Sequence, residues 1–589
     1  MSFKLYKLTL NGRWTNCLSS QFNNALTGHI LSNKALTVTG HIPHQLSQLS
    51  SLRYLDLFNN ALTGNIPPQI SQLSRMQTLK LSHNQLQGTI PASFSYCRSL
   101  YYLALSFNQL HGNIPSQLSR LTRLKYLYLG ANNLIGSIPH SLGNLSASVE
   151  LNLGDNHLTG TIPHSLKNLS ALVGLYLGET HLPGSVPHFL GNLSSLVVLE
   201  LGGSYLMGTN PHELGKLTHL QFLYLYTNNL SGTIPSSLGN ISRLTELELC
   251  ENHLQGPIPP EFGMLTHLQI LYLYTNNLSS TIPASLGNLL KLRELDLSEN
   301  HLQGLIAPEL GTLTQLQLLH LFSNNLWVTI PSSIENLSKL THLILHENDL
   351  TGTIPSELGT LTQLEVLYLW KNNLSGTIPS SLGNLSKLID LELCDNHLQG
   401  SIPLNWTCLL ASRFFIFSKN NFSGIIPSSL GNLSKVTELY LFENYLQGPI
   451  PHELGMLADL KYLHLFTINL SGTIPSSLGN LSKLINLELE ENELSGKIPD
   501  SLVSLEQLKN LYLEQNKLTG EIPVSLEGCL SEVGGPSVVT KPAKWKNTRN
   551  LWQPPATEIY LSSAQQINRG NPCEFRGMSD VEEALPILQ

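Results

Sequence analysis

Leu268-x-x-Leu271-x-Leu273-x-x-Asn276-x-Leu278, closing in Ile282-Pro283 and a leucine-rich second half, is one copy of a frame that recurs at a constant interval along the chain. Counted from Asn60, the same register position falls at Asn84, Asn108, Asn132, Asn156 and onward to Asn492 and Asn516. Of twenty such positions seventeen hold Asn, and only Thr180, Ser204 and Ile468 depart. Self-similarity at a fixed period of about 24 residues marks a solenoid, in which each turn packs only on its neighbours. Such a chain presents a long surface and does not enclose a pocket.

Within each copy, leucines at alternate positions predict a short strand with one buried face, and successive copies then pair as a parallel sheet. Twenty strands at about 4.8 Å each make a sheet on the order of 100 Å long. The register Asn is expected to satisfy backbone groups at the bend after the strand, turn upon turn. The Gly four residues on permits a positive φ. The Ile is expected to bury, and the Pro to fix φ and bar a helix from starting there. Val328 stands in place of that Gly, Ala307 in place of a Pro and Asn210 in place of a core Ile; each is expected to weaken its own turn. Trp406 to Phe417, with Phe414, Phe415 and Phe417, diverges most from the frame.

Composition narrows the function. Charged residues are 13% of the chain, the net charge is −8 and no block of like charge occurs. Nucleic acid is therefore excluded as a partner, since phosphate binding needs a basic stripe. No apolar run approaches a membrane span, and Met1 to Cys17 lacks the apolar stretch of a secretory signal. The seven cysteines, at 17, 97, 250, 394, 408, 529 and 573, show no metal or redox spacing. Cys250 and Cys394, in equivalent positions six turns apart, are taken as incidental surface substitutions. His212-Glu213 and His452-Glu453 lack the second His of a zinc helix, and no phosphate loop or kinase motif is present. No metal, cofactor or catalytic residue is expected, and the chain reads as a non-enzyme.

The string Leu-x-x-Leu-x-Leu-x-x-Asn-x-Leu-x-Gly-x-Ile-Pro-x-x-Leu-x-x-Leu, seen from Leu364 to Leu385, resembles the plant-type leucine-rich repeat, and the likeness runs from Leu31 to Glu527. The resemblance implies an α/β solenoid: a right-handed superhelix with a concave parallel β-sheet and a convex side of 3₁₀ turns and loops. The expected division is a degenerate N-terminal segment at 1–30, the solenoid at 31–527 and an irregular tail at 528–589. Asn24-Ala25-Leu26-Thr27-Gly28 echoes the frame out of phase, and Trp14 and Cys17 resemble remnants of the family's N-terminal cap. The resemblance further implies the recognition part of a receptor-like kinase or receptor-like protein at the cell surface. That part binds a peptide or protein ligand, engages a coreceptor and is monomeric when free. Two other readings stay open: a secreted inhibitor of a cell-wall-degrading enzyme, and a non-functional receptor fragment.

The positions six, four and two before the register residue are expected to face outward from the sheet and to meet a ligand. From Leu217 onward they alternate with a period of two turns; Tyr224 to Asn240 repeats as Tyr272 to Asn288, and Glu248 to Pro259 as Glu392 to Pro403. One set of turns is aromatic: Phe222, Tyr224 and Tyr226; Tyr272 and Tyr274; His320 and Phe322; Tyr368 and Trp370; Tyr462, His464 and Phe466. The intervening turns are acidic, with Glu248, Asp296 and Glu392 as the candidate contacts beside Glu246, Glu294, Asp390, Glu438, Glu488 and Glu490. Rigid aromatics beside carboxylates suit an extended basic or aromatic-bearing peptide, or a protein partner. No Arg stands at any of these positions, so the Arg pair with which several receptors of this kind hold a peptide's terminal carboxylate has no counterpart here. The unbroken spacing likewise leaves no room for the inserted island of the steroid-hormone receptors.

Fourteen N-x-S/T sequons occur, at Asn144, Asn168, Asn192, Asn229, Asn240, Asn277, Asn336, Asn373, Asn384, Asn405, Asn421, Asn432, Asn469 and Asn480. In a secreted protein they would mark surface sites for glycan. Asn-Leu-Ser also belongs to the repeat itself, so the set is only modest support for an extracellular chain.

Overall fold

The computed structural model describes residues 29–31, 38–404, 406, 409–521 and 523. The N-terminal echo, Trp14, Cys17, Asn405, Cys408 and the tail from 528 lie outside them. The chain divides into two units, one ending at Leu302 and the other starting at Gln303.

In the first unit each turn contributes one three-residue strand, from Tyr54–Asp56 to Glu294–Asp296, and neighbours pair in parallel. One earlier strand, His29–Leu31, pairs with Tyr54–Asp56 at an offset of one residue from the repeat, His29 opposite Tyr54. The second unit builds the same ladder from Leu318–His320 to Asn510–Tyr512. The leucine columns on the inner side of the strands are fully enclosed; Leu247, Leu249, Leu271 and Leu273 expose no surface. Each Leu so buried contributes about 2 kcal/mol of transfer free energy.

The register Asn does what its recurrence predicts. Asn252 Nδ2 donates to the carbonyls of Leu249 at 3.2 Å and Cys250 at 3.0 Å in its own turn, and of Leu225 at 2.9 Å in the turn before. Its Oδ1 accepts the Leu230 amide at 2.9 Å. One buried side chain thus closes the bend of its own turn and fastens it to the preceding one. Thr180 and Ser204 keep part of this: the Thr180 and Ser204 hydroxyls both donate to the Leu177 carbonyl, at 2.8 and 3.1 Å.

Three features lie beyond the sequence reading. First, a second parallel ladder follows the Asn in each unit, for example Asn229–Thr233 against His253–Gly256. In the first unit it is interrupted twice, between Gln85–Gln87 and His111–Asn113 and again at the turn of Thr180, where Pro183 has no N–H to give and only single bridges, Thr159 to His181 and Gly184 to Leu206, remain. Second, the residue before the register position is left-handed in turn after turn although it is not glycine, as at Asp155, Glu251 and Thr275, with φ of 49–53°. Its amide bonds the next turn, Glu251 N to the Tyr274 carbonyl at 2.9 Å, and that repeated bond holds the conformation. Third, the 3₁₀ turns that the resemblance implied are present, but the Pro does not bar them and instead directly precedes them, Ala307 excepted. A five-residue 3₁₀ helix, such as Ser236–Asn240, begins directly after Pro235, whose φ of −66° suits the N-cap. No α-helix occurs among the described residues.

The substituted turns adapt locally. Where Val328 replaces Gly, the second-ladder strand shrinks to Asn325–Leu326. Ala307 caps its 3₁₀ helix with Pro308 behind it. In the divergent turn Trp406 is buried against Phe415 and Phe417, at ring distances of 5.7 and 5.5 Å, so aromatic packing replaces the aliphatic core.

Candidate functional site

Because side chains alternate along a strand, the Leu at the centre of each three-residue strand points inward and its two neighbours point out. The strand's last residue therefore stands opposite its equivalents in the adjoining turns. In the first unit this gives one continuous row: Tyr128, Asn152, Tyr176, Glu200, Tyr224, Glu248, Tyr272, Asp296, each the direct cross-strand partner of the next. The alternation that the sequence reading began at Phe222 thus starts four turns earlier. Tyr128, Tyr176 and Glu200 belong to it and were missed; reading the same position in every turn would have found them.

The two stripes are bonded to each other. The hydroxyls of Tyr128, Tyr224 and Tyr272 donate to Glu150, Glu246 and Glu294 of the following turn, and Tyr368 donates to Asp390 at 3.2 Å. What the tyrosines offer a partner is therefore ring, not hydroxyl. Burial, then the bonded carboxylate, pushes the phenols of Tyr128, Tyr224 and Tyr272 far up. Crowding acts on the acids as well. Glu200 is pushed up to about 7 by burial, with Glu179 adding to it against an opposing bond from the Gly178 amide. Glu248 is likewise pushed up to about 7 by burial and then by Glu246, Glu294 and Glu200.

The face of the second unit is more aromatic and more closed. His346 is sandwiched between Phe322 and Trp370 at 4.6 and 4.1 Å, both rings within 12° of parallel. Tyr440 stacks on His464 at 4.3 Å, and Phe442 on Phe466 at 4.3 Å. Burial, then His320, lowers His346 to about 3 and His342 to about 4, so both are neutral at ordinary pH. His464 lies 3.7 Å from Glu488.

Of the fifteen candidate contacts, twelve are half-buried: Phe222, Tyr224, Tyr226, Glu248, Tyr272, Tyr274, Asp296, Phe322, Tyr368, Tyr462, His464 and Phe466. The other three, His320, Trp370 and Glu392, are buried, so the expectation that every such position faces solvent is corrected. Rows spaced about 4.8 Å apart let large neighbours close over one another. The same crowding corrects the view of two cysteines. Cys250, a free thiol, and Cys394, which is disulfide-bonded, are buried on the sheet face rather than incidental at the surface.

Thirteen of the sequon asparagines are described and all are exposed; Asn405 lies outside the described residues. They form two sets, off the sheet face in both cases. Asn229, Asn277, Asn373, Asn421 and Asn469 open second-ladder strands, and the other eight end 3₁₀ helices. The exposed His212 and His452 rings lie 3.4 and 3.3 Å from the half-buried carboxylates of Glu213 and Glu453. No group of three metal-ligating side chains comes together among the described residues. A hollow of the second unit lies over Ile330-Pro331, Ile354-Pro355 and Ile378-Pro379, lined by repeat-frame residues with Glu357 as its one carboxylate.

A model described as leucine-rich repeat region matches residues 103–253 and 284–447, and further leucine-rich-repeat models match 242–302, 51–73, 75–97 and 507–529. The chain belongs to the leucine-rich-repeat family. Among solved structures it is similar to the plant peptide hormone receptor RGFR1 in complex with RGF2, at 35% identity and a TM-score of 0.82, covering 86% of this chain and 81% of that one. It is also similar to the Arabidopsis receptor kinase HAESA in complex with the peptide hormone IDA and the co-receptor SERK1, at 35% identity and a TM-score of 0.80, covering 86% and 87%. PEPR1–AtPEP1 follows at 32% and 0.73, covering 84% and 76%. No curated protein matches the chain. The leucine-rich-repeat solenoid here has no helix long and apolar enough to cross a membrane among its described residues.

Proposed function

We propose that this leucine-rich-repeat chain is a non-enzymatic recognition module of the cell surface, which binds an extended peptide or a protein along its sheet face and then engages a coreceptor. The observation that carries the reading is the face itself. Rigid tyrosine rings and carboxylates succeed one another across eight consecutive turns, from Tyr128 to Asp296, with Glu150 supplying the carboxylate beside Asn152, and the thirteen described sequon asparagines all stand elsewhere. Aromatic side chains in such numbers supply contact area at low entropic cost. Similarity to receptor ectodomains solved with peptide hormones supports the same reading.

The test is selection from a randomised peptide library on the secreted full chain, followed by Tyr272→Ala with Tyr274→Ala. Recovered peptides should lose at least about tenfold in affinity, the scale of two truncated aromatic contacts, while circular dichroism stays unchanged. Binders indifferent to that double substitution would defeat the proposal.

A further inference from the structure

The row from Tyr128 to Asp296 has a metric as well as a chemistry. A tyrosine returns every second turn, at Tyr128, Tyr176, Tyr224 and Tyr272, and a carboxylate does so at Glu200, Glu248 and Asp296, with Asn152 ahead of them in the same column; two strand spacings amount to about 9.6 Å. The adjoining face position reinforces the acidic turns with Glu150, Glu246 and Glu294. The left-handed corners add exposed Asp155, Glu179, Glu251 and Glu299. From Tyr126 to Asn300 no Lys or Arg stands at any face or corner position. The face is therefore of one sign, in stripes, with tyrosine rings between the stripes.

A partner that complements it must be cationic and must return its cations at the stripe spacing. A polyproline-II chain repeats its side-chain direction every third residue, at about 3.1 Å per residue, hence at about 9.3 Å. The mismatch with the stripes is about 0.3 Å per period, and over three periods it reaches only about 1 Å, well within the reach of an Arg or Lys side chain. A β-strand returns a side chain at every second residue, about 6.7 Å on, which falls between stripes. Ring chemistry agrees, because aromatic-lined grooves accept proline-rich segments in this conformation at low ordering cost. Each glutamate bonded by a tyrosine keeps further lone pairs for a guanidinium.

We propose that the sheet face between Tyr128 and Asp296 takes a polyproline-II peptide with Arg or Lys at every third residue. Its cations sit over the acidic turns and its prolines over the tyrosine rings. The inference rests on the recognition reading above and sharpens it from a peptide to one class of peptide.

The probe is a fluorescein-labelled dodecapeptide of four Arg-Pro-Pro triplets, titrated against the full chain by fluorescence anisotropy at physiological salt and pH 8, where the raised carboxyls of Glu200 and Glu248 are ionised. It is compared with an isomer of identical composition whose arginines are unevenly spaced, and with the Glu-Pro-Pro counterpart. The regular arginine peptide should bind at least about tenfold tighter than its isomer, and the glutamate peptide should not bind. Glu200→Gln with Glu248→Gln should weaken the regular peptide several-fold, and Asp296→Asn alone should do so in part should the double variant fold poorly. Equal affinity for the two arginine isomers would overturn the inference, leaving only a diffuse charge effect. No binding of either would overturn it too. In both cases library peptides that still depend on Tyr272 and Tyr274 would leave the recognition reading standing, and their absence would remove that as well.

Discussion

Asn210 sits where every neighbouring turn places an apolar residue. Val186 precedes it by one turn and Ile234 follows, both buried, and Asn210 itself is 4% exposed. Neither its Nδ2 nor its Oδ1 has a hydrogen-bond partner. A buried polar group without a partner costs about 1–3 kcal/mol, and a buried Ile side chain contributes about 1.5–3 kcal/mol. Because the pocket is already shaped for Ile by its neighbours, Asn210→Ile should stabilise the first unit by roughly 3 kcal/mol. At about 2–4 °C per kcal/mol for a unit of this size, the melting temperature should rise by roughly 6–12 °C. The reciprocal change Ile234→Asn should lower it comparably, and Asn210→Ala should gain less than half as much because it leaves a void. Thermal unfolding followed by far-ultraviolet circular dichroism on all three variants decides the matter. An unchanged or lower midpoint for Asn210→Ile would refute the reasoning and show the amide to be hydrogen-bonded by an enclosed water.

The second unit has its own gap in the Asn ladder: Ile468→Asn should supply the missing bonds and raise stability by about 1–2 kcal/mol, whereas Asn252→Ala, which removes four bonds, should cost about 3 kcal/mol; denaturant titration measures both. The raised carboxyls of Glu200 and Glu248 make a pH prediction with a definite sign. The fold favours their protonated forms, so the stability they confer is fully present below pH 4.5, their ordinary value, and is lost as pH rises to about 7. Glu200→Gln with Glu248→Gln should therefore raise the melting temperature at pH 8 and change it little at pH 4.5; an equal shift at the two pH values would contradict the linkage. Their facing groups, Glu179, Glu246, Glu294 and the tyrosines at 224, 226 and 272, remain in place in that variant. Finally, if the chain is glycosylated on the exposed sequons, glycosidase treatment should lower its mass and leave peptide affinity within about twofold, since both glycan sets stand off the face.

What the sequence revealed was whatever a single turn decides by itself. Leu271 and Leu273 bury because they alternate, and Asn252 bonds the bend because its reach is fixed by its own strand. What stayed hidden depended on the adjoining turn. The Tyr224–Glu246 and Tyr272–Glu294 bonds join neighbouring turns and are invisible until strand register is known. The second ladder is built from Asn-Leu-Ser-Gly-Thr, a string that reads as loop until copies of it are laid side by side. Burial of Trp370, Glu392 and Cys394 followed from neighbours too, since no residue's own pattern says how far the next turn's side chain will lean over it. Glu251 at φ 53° shows the same dependence in the backbone, where a bond to the next turn outweighs a residue's own preference.

The alternation of ring and carboxylate has a consequence for how such a gene can change. Loss or gain of two adjacent turns removes or adds one tyrosine turn and one acidic turn, and the stripes on either side stay in phase. Loss of a single turn preserves every other leucine and register Asn, yet loss of an acidic turn sets ring against ring and strands the preceding phenol from its glutamate acceptor, and loss of a tyrosine turn sets acid against acid. Unequal recombination within the array is thus tolerated by the core in single turns but by the face only in pairs. Length variants that keep their function should therefore differ by even numbers of turns.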